Sequence, residues 1–267
     1  YTDITQSLSL GGLTYGVTNM ELTSAYASIA NGGTYQKPVL YTKVVDHNGN
    51  ILLSNTQKGK RVMKESTAFL LTDAMKDVIT KGTGKSAKLS SSMAVAGKSG
   101  TTSNSYDYWF SGYTPYHTAS VWMGYDKNTN FASDNTHKKI WAKVMNEIIK
   151  TKQEQTTDFK KPADIVKAKV CKESGKLAIK EVCDHDPRGS RVITEYFEKG
   201  TVPTQTCDIH VAVEVCKTSD KLATKNCPAN KKQRKIYIVR KKGSHGKTAD
   251  TPYMLPKKYQ SVFCKKH

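Results

Sequence analysis

Apolar positions along this chain fall into short, separated runs whose spacing shifts between helical and extended periods. Over 18–31, Met20, Leu22, Ala25, Tyr26, Ile29 and Ala30 recur at mixed i+3/i+4 intervals. That spacing gathers them on one face of a helix. Thr18 or Asn19 can cap its start, and Gly32-Gly33 ends it. Runs at 39–46 and 51–54 flank His47-Asn48-Gly49-Asn50, which predicts a hairpin. A second helix is predicted over 65–80, with Phe69, Leu70, Met75, Val78 and Ile79 on or near one face and Gly82 as its stop. Ala94, Val95 and Ala96 predict a buried strand, and strands around Trp109 and Trp122 follow. A terminal helix over 136–150 carries Ile140, Trp141, Val144, Met145, Ile148 and Ile149. This order fits an α+β fold, an antiparallel sheet flanked by helices. Phe110 and both tryptophans are expected in its core, and His117 and His137 are expected to be structural.

Beyond residue 150 the pattern breaks up. The stretch 151–166 opens with polar, unpatterned residues and reads as a linker. All six cysteines lie beyond it, and so does most of the charge: the chain carries +19 overall, with +6 in residues 1–150 and +13 in 151–267. The division expected is 1–150, the linker, a β-rich cysteine-containing extension over 167–240, and a basic tail over 241–267. The extension holds an internal repeat. Val170-Cys171-Lys172-Glu173-Ser174-Gly175-Lys176-Leu177-Ala178 aligns with Val215-Cys216-Lys217-Thr218-Ser219-Asp220-Lys221-Leu222-Ala223, and Cys183 and Cys227 follow the two copies. The turn-prone pairs Ser174-Gly175 and Ser219-Asp220 predict small hairpins. Lysine-rich 231–242 and the last residues are expected to be mobile.

The densest chemistry lies in Ala94-Val95-Ala96-Gly97-Lys98-Ser99-Gly100-Thr101-Thr102. A buried run delivers one fixed positive charge, three hydroxyls and a glycine without a Cβ, so another backbone can approach closely. Downstream come Asp107-Tyr108-Trp109-Phe110-Ser111-Gly112-Tyr113-Thr114-Pro115-Tyr116 and Ala119-Ser120-Val121-Trp122-Met123-Gly124-Tyr125-Asp126. Upstream stand Leu10-Gly11-Gly12-Leu13-Thr14-Tyr15-Gly16 and Ala25-Tyr26-Ala27-Ser28-Ile29-Ala30-Asn31-Gly32-Gly33. These blocks resemble class A penicillin-binding proteins over about residues 6–150, with Lys98-Ser99-Gly100 as the K-[ST]-G motif. The tail resembles the cysteine-containing extension that follows some Gram-positive members.

The resemblance implies a serine β-lactamase/transpeptidase-like fold, incomplete here, and a D,D-transpeptidase that cross-links peptidoglycan through a serine ester. It implies no cofactor. Lys98, Ser99 and Thr101 would be catalytic, with the Thr101 N–H as one oxyanion donor; Gly100 and Thr102 would bind substrate. The implied partners are peptidoglycan stem peptides, β-lactams and an upstream half of the domain, outside the cytoplasm at the outer face of the cell membrane. The S-x-x-K nucleophile and S-x-N motifs, which precede K-[ST]-G in the family, are expected upstream of residue 1. No apolar run is long enough to span a bilayer, so membrane attachment is expected only through an upstream anchor. Ser133-Asp134-Asn135 spells S-D-N in the wrong order and reads as a helix cap. Ser244-His245-Gly246-Lys247 spells S-x-x-K in a glycine-broken basic stretch.

Other chemistries fit less well. Gly97-Lys98-Ser99 matches the end of a phosphate-binding loop, but that loop needs a glycine where Ser92 stands and a helix immediately after. The basic charge suits an anionic wall or membrane surface, and no aromatic-interleaved RNA motif accompanies it. A non-catalytic module binding wall polymer or a partner through the basic extension is the alternative function. Cys183, His185, Cys207 and His210 supply a Cys₂His₂ set, but C-x-H with C-x₂-H is unusual for zinc. An even cysteine count outside the cytoplasm favours disulfides. The repeat pairs Cys171 with Cys183 and Cys216 with Cys227 as local staples, and free thiols become the alternative if the source is an anaerobe.

Overall fold

A computed structural model describes residues 3–240 and 248–266. The chain divides into two compact units, Tyr1–Asp164 and Ile165–His267.

In the first unit, helix α1 spans Asn19–Ala30. Thr18 is its cap: the hydroxyl accepts from the Glu21 N–H (3.2 Å), and the Glu21 carboxylate accepts from the Thr18 N–H (2.8 Å). This reciprocal box satisfies two donors that a helix start otherwise leaves bare. Two small antiparallel ladders follow: β1 (Thr34–Tyr35) with β4 (Lys60–Arg61), and β2 (Lys43–Val45) with β3 (Ile51–Ser54). The predicted hairpin is thus present, shortened on its first side, and every residue of β2 and β3 is exposed. Helix α2 covers Glu65–Thr80.

Strands β5 (Ala96–Thr101), β6 (Asp107–Tyr113) and β7 (Thr118–Gly124) form an antiparallel meander in the order β5-β6-β7. Helix α3 (Thr136–Lys152) packs on one face. There Phe110 meets Trp141 edge-to-face with centroids 5.2 Å apart, in a cluster that also holds Met145, Ile149, Ile79, Leu89 and Val95. Gly97 and Gly112 stand opposite each other in the ladder. A Cβ on Gly112 would lie 2.9 Å from Trp141 Cζ2, so the bare backbone is what lets the indole lie against the sheet. On the other face Tyr113 and Ala96 pack with Met75, Tyr26, Ile29 and Ala30. Of the three aromatics expected in the core only Phe110 is buried; Trp109 is half-buried and Trp122 is 38% exposed. Trp122 is held at the surface because its indole N–H donates to Asp107 (2.9 Å).

The second unit pairs β8 (Ile165–Cys171) with β9 (Val192–Glu198). A three-stranded sheet follows, with β10 (His210–Cys216) between β11 (Lys221–Leu222) and β12 (Lys232–Ile238). Both turns expected in the repeat form, the N–H groups of Gly175 and Asp220 each donating to the carbonyl of the preceding cysteine, Cys171 or Cys216. The lysine-rich stretch expected to be mobile instead contains β12. Its cations sit at exposed or half-buried positions, while Ile238 is fully buried. The tail is also built in: Asp250, Tyr259 and Cys264 are buried, and a short helix α4 spans Lys258–Ser261. The Ser244–Lys247 spelling lies outside the described residues.

Candidate functional site

The Lys98-Ser99-Gly100-Thr101 segment closes β5, an edge strand whose one ladder partner among the described residues is β6. The strand runs on past Lys98 to Thr101, so no helix starts there as a phosphate-binding loop requires. The register sets Lys98 opposite Ser111 and Gly100 opposite Trp109; Ser99 and Thr101 stand opposite Phe110 and Tyr108. Side chains alternate along a strand, so Lys98 and Gly100 share one face and Ser99 and Thr101 the other. Lys98 is exposed, and its Nζ donates to the Ser99 carbonyl (2.7 Å). The Ser99 and Thr83 hydroxyls are 2.8 Å apart. Above Gly100 there is room: a Cβ there would meet only Trp109 Cβ, at 3.5 Å.

Thr102 is engaged elsewhere. Its hydroxyl donates to Asp107 Oδ2 (3.0 Å) and accepts from the Asp107 N–H (2.8 Å). These bonds close the β5–β6 turn, where Asn104 and Ser105 take left-handed conformations. Asp107 therefore braces the strand end, reaching both Thr102 and Trp122.

A second cation lies near Lys98. Lys138 is 8% exposed and donates to Asn135 Oδ1 (2.8 Å). Burial, and then the positive charge of Lys98, holds its pKa below the usual lysine range. No sequence signal marked it, because it occupies an ordinary helix position. The same contact explains the fate of the S-D-N spelling. Asn135 is the cap residue of α3, as expected, but its side chain serves Lys138 and caps no backbone N–H. Ser133 Oγ lies 2.6 Å from His137 Nδ1. His117 Nε2 is 2.5 Å from Glu154 Oε1.

Two concavities of this unit lie elsewhere. One of about 750 Å³ is lined by α1 and the 114–118 turn, and another of similar size by Lys76, Lys85, Lys88 and Asp158 among others. Neither includes Lys98, Ser99 or Thr101.

In the second unit the six thiols are buried and free. They gather by threes, not by the pairs expected from the repeat. Cys171, Cys183 and Cys207 meet His210, while Cys216, Cys227 and Cys264 form a second group. The repeat showed two cysteines per copy; the third reaches each group from beyond it. His185, expected as a partner in the Cys₂His₂ set, is exposed beside Asp184, and Cys171 stands in its place. Burial dominates at Cys183 and pushes its thiol up to about 12. At Cys207 burial is outweighed by hydrogen bonds from Ser174 and from the His210 and Ile209 N–H groups, which bring it down to about 6.

A K-S-G edge strand in an antiparallel meander, backed by a tryptophan-bearing helix and closed by the Asp107 turn, defines the strand-and-helix portion of a penicillin-binding transpeptidase domain. The chain belongs to that family: the description "Penicillin binding protein transpeptidase domain" matches residues 3–150. A second description, "Penicillin-binding protein 1A, C-terminal domain", matches residues 161–212. Among curated relatives, Penicillin-binding protein 1A of Clostridium botulinum strain Langeland is 36% identical over 256 residues, 94% of this chain and 30% of that protein. Penicillin-binding protein 1A/1B of Bacillus subtilis is 32% identical over 220 residues, 76% of this chain and 24% of that protein. The chain thus spans about a third or less of these relatives' length. The crystal structure of Penicillin-Binding Protein 1A from Haemophilus influenzae superposes with a TM-score of 0.60 at 24% identity, covering 76% of this chain and 35% of that one. No described helix is long and apolar enough to cross a membrane.

Proposed function

We propose that this chain supplies the substrate-docking wall of a serine D,D-transpeptidase that cross-links peptidoglycan. The observation that carries the reading is β5, an edge strand with an exposed lysine on one face and hydroxyls on the other. An unpaired edge accepts an extended peptide as an added strand. A stem peptide ending in D-Ala-D-Ala would lie along β5 with its terminal carboxylate against Ser99 and Thr101. Lys98 raises the positive potential there, and the Thr101 N–H faces the oxygen that becomes negative. A serine from a preceding segment attacks the D-Ala-D-Ala carbonyl; D-alanine leaves, and a neighbouring stem's amine takes the acyl group and frees the serine. β-Lactams would acylate the same serine. On this reading the chain works outside the cytoplasm, joined to an upstream segment that carries S-x-x-K and S-x-N.

Exposed apolar side chains support a missing partner segment. Leu10, Tyr15 and Leu40 are 91%, 89% and 95% exposed, and the hairpin residues Ile51, Leu52 and Leu53 are more than half exposed. Large apolar side chains left this exposed fit a surface that a preceding segment covers.

Fluorescent penicillin tests the reading. The 267-residue chain is expected to remain unlabelled, whereas the protein completed by the upstream segment is labelled there. In the completed protein, Lys98→Ala should slow acylation roughly 10- to 100-fold, as loss of a hydrogen bond to a charged group does. The melting temperature should hold, because Lys98 is exposed. Covalent label on this chain, or an unchanged acylation rate in the variant, overturns it.

A further inference from the structure

The cysteines take no part in acyl transfer, and their arrangement calls for a different chemistry. Cys171 ends β8, Cys183 starts a short 3-10 turn, and Cys207 and His210 lead into β10. All four are buried, and their three Sγ atoms and one ring nitrogen lie within 4.8 Å of one another. His210 Nδ1 is 3.4 Å from Cys171 Sγ and 3.3 Å from Cys207 Sγ. A tetrahedral zinc with Zn–S of about 2.3 Å and Zn–N of about 2.0 Å sets its sulfur and nitrogen ligands roughly 3.5 Å apart.

The far side of the imidazole fits the same purpose. His210 Nε2 lies 2.6 Å from Asp186 Oδ2, and both side chains are fully buried. The carboxylate accepts the Nε2 proton, which leaves the Nδ1 lone pair facing the sulfurs. Asp186 is itself fixed by the backbone N–H of Arg188 (2.7 Å) and by its guanidinium (2.7 and 3.0 Å). A carboxylate that orients a histidine in this way is the usual support of a metal-bound imidazole. A Cys171–Cys183 disulfide would leave Cys207 and the imidazole buried against it without a role.

The second group repeats two backbone bonds of the first. The Cys207 N–H donates to the Leu177 carbonyl (2.8 Å), and the Cys264 N–H to the Leu222 carbonyl (2.8 Å). The Cys183 sulfur accepts from the Ile179 N–H (3.3 Å), and the Cys227 sulfur from the Thr224 N–H (3.3 Å).

We propose that each copy of the repeat is a structural zinc site. Cys171, Cys183, Cys207 and His210 hold one ion. Cys216, Cys227 and Cys264 supply three thiolates to another. Buried thiolates, joined at the first site by an imidazole, suit zinc over harder, oxygen-seeking cations. Each binding event releases three thiol protons to solvent, and at the first site Zn²⁺ with three thiolates and a neutral imidazole leaves a net charge of −1. Small β units with little apolar core are where a bound metal contributes folding energy outright.

The test is metal and thiol analysis of the 267-residue chain, reconstituted with zinc under reducing conditions and then desalted. Two zinc ions per chain are expected, with the six thiols alkylated only after chelator and denaturant. Cys183→Ser and Cys227→Ser should each bring the content down to one, whereas His210→Cys should retain two. Asp186→Asn keeps all ligands and should weaken zinc binding at the first site roughly 10- to 100-fold. Zinc near zero in the reconstituted chain overturns the proposal. So does recovery of Cys171 disulfide-linked to Cys183 from the native protein, or serine variants that keep the wild-type content. A wild-type content of one zinc, unchanged by Cys227→Ser, overturns the second site and retains the first. None of these outcomes depends on the transpeptidase reading.

Discussion

Three glycines of the meander separate packing from ligand space. Gly97, Gly100 and Gly112 lie within one antiparallel pair, and alanine at each adds a single methyl group. At Gly112 that methyl would sit 2.8 Å from Phe110 Cε1 and 2.9 Å from Trp141 Cζ2, both in fully buried rings. At Gly97 it would sit 2.8 Å from the Ser111 carbonyl oxygen and 3.0 Å from Gly112 Cα, which are backbone atoms of the paired strand. Neither neighbour can yield without moving the sheet against α3. Overpacking of this kind costs about 1–3 kcal/mol, and alanine recovers about 0.5–1 kcal/mol of strand preference over glycine. The net expectation for Gly97→Ala and Gly112→Ala is a loss of about 1–2 kcal/mol, the larger at Gly97. For a unit of this size that lowers the melting temperature by roughly 3–6 °C. Gly100→Ala meets only an ordinary contact and should melt at or slightly above wild type. All three tryptophans, Trp109, Trp122 and Trp141, belong to the first unit, so their fluorescence follows its unfolding alone. In the completed transpeptidase, Gly100→Ala should stay folded yet acylate slowly with penicillin, because its methyl enters the face a ligand needs. Melting of Gly112→Ala at wild-type temperature, or of Gly100→Ala as low as the other two, would refute this reasoning.

His137 makes the first unit acid-sensitive. It is 2% exposed, its Nε2 has no hydrogen-bond partner among the described residues, and burial together with Lys138 brings its pKa from 6.5 down to about 4. The unfolded chain takes up this proton first, so His137's contribution is intact above about pH 6.5, falls as pH drops towards 4, and changes no further below. The whole loss is about 3 kcal/mol; urea titrations from pH 7 to 4 should show it, and His137→Gln should flatten the slope across that window. Tyr113 and Thr72 form a buried pair, with hydroxyls 2.8 Å apart and Thr72 also donating to the Ala68 carbonyl (2.8 Å). Thr72→Val strands the tyrosine hydroxyl and should cost about 1–3 kcal/mol. Tyr113→Phe added to it should cost little more, and additive losses in the double-mutant cycle would show that the hydroxyls are not coupled.

What the sequence revealed and what it hid divide along physical lines. The three long helices and the β2–β3 hairpin were legible because amphipathic spacing, a capping pair and an Asn-Gly turn are local signals. The K-S-G strand was legible because its residues act as a contiguous block. Lys138 was not: its burial depends on Asn135 bending back over it, and a lysine in a polar helix start looks like any solvated one. β12 was masked by its own cations, since only Ile238 points fully inward. The cysteine groups were read as pairs because two members of each share the repeat, while the third arrives after β9 in one copy and after β12 in the other. Long-range arrivals of that kind leave no periodicity to read.

The β2–β3 hairpin has a colloidal consequence. Both of its faces carry bare Val44, Val45, Ile51, Leu52 and Leu53, and each strand keeps an unpaired backbone edge. A short apolar ribbon with free edges is a template on which identical copies stack. Whenever nothing covers it, concentration and salt become the controlling variables. The net charge of +19 holds molecules apart in dilute buffer, and added electrolyte shortens the reach of that repulsion. Salting this chain therefore brings ribbons within range of one another, and lysine or glutamate in place of Ile51 or Leu53 is the substitution that keeps a concentrated sample dispersed.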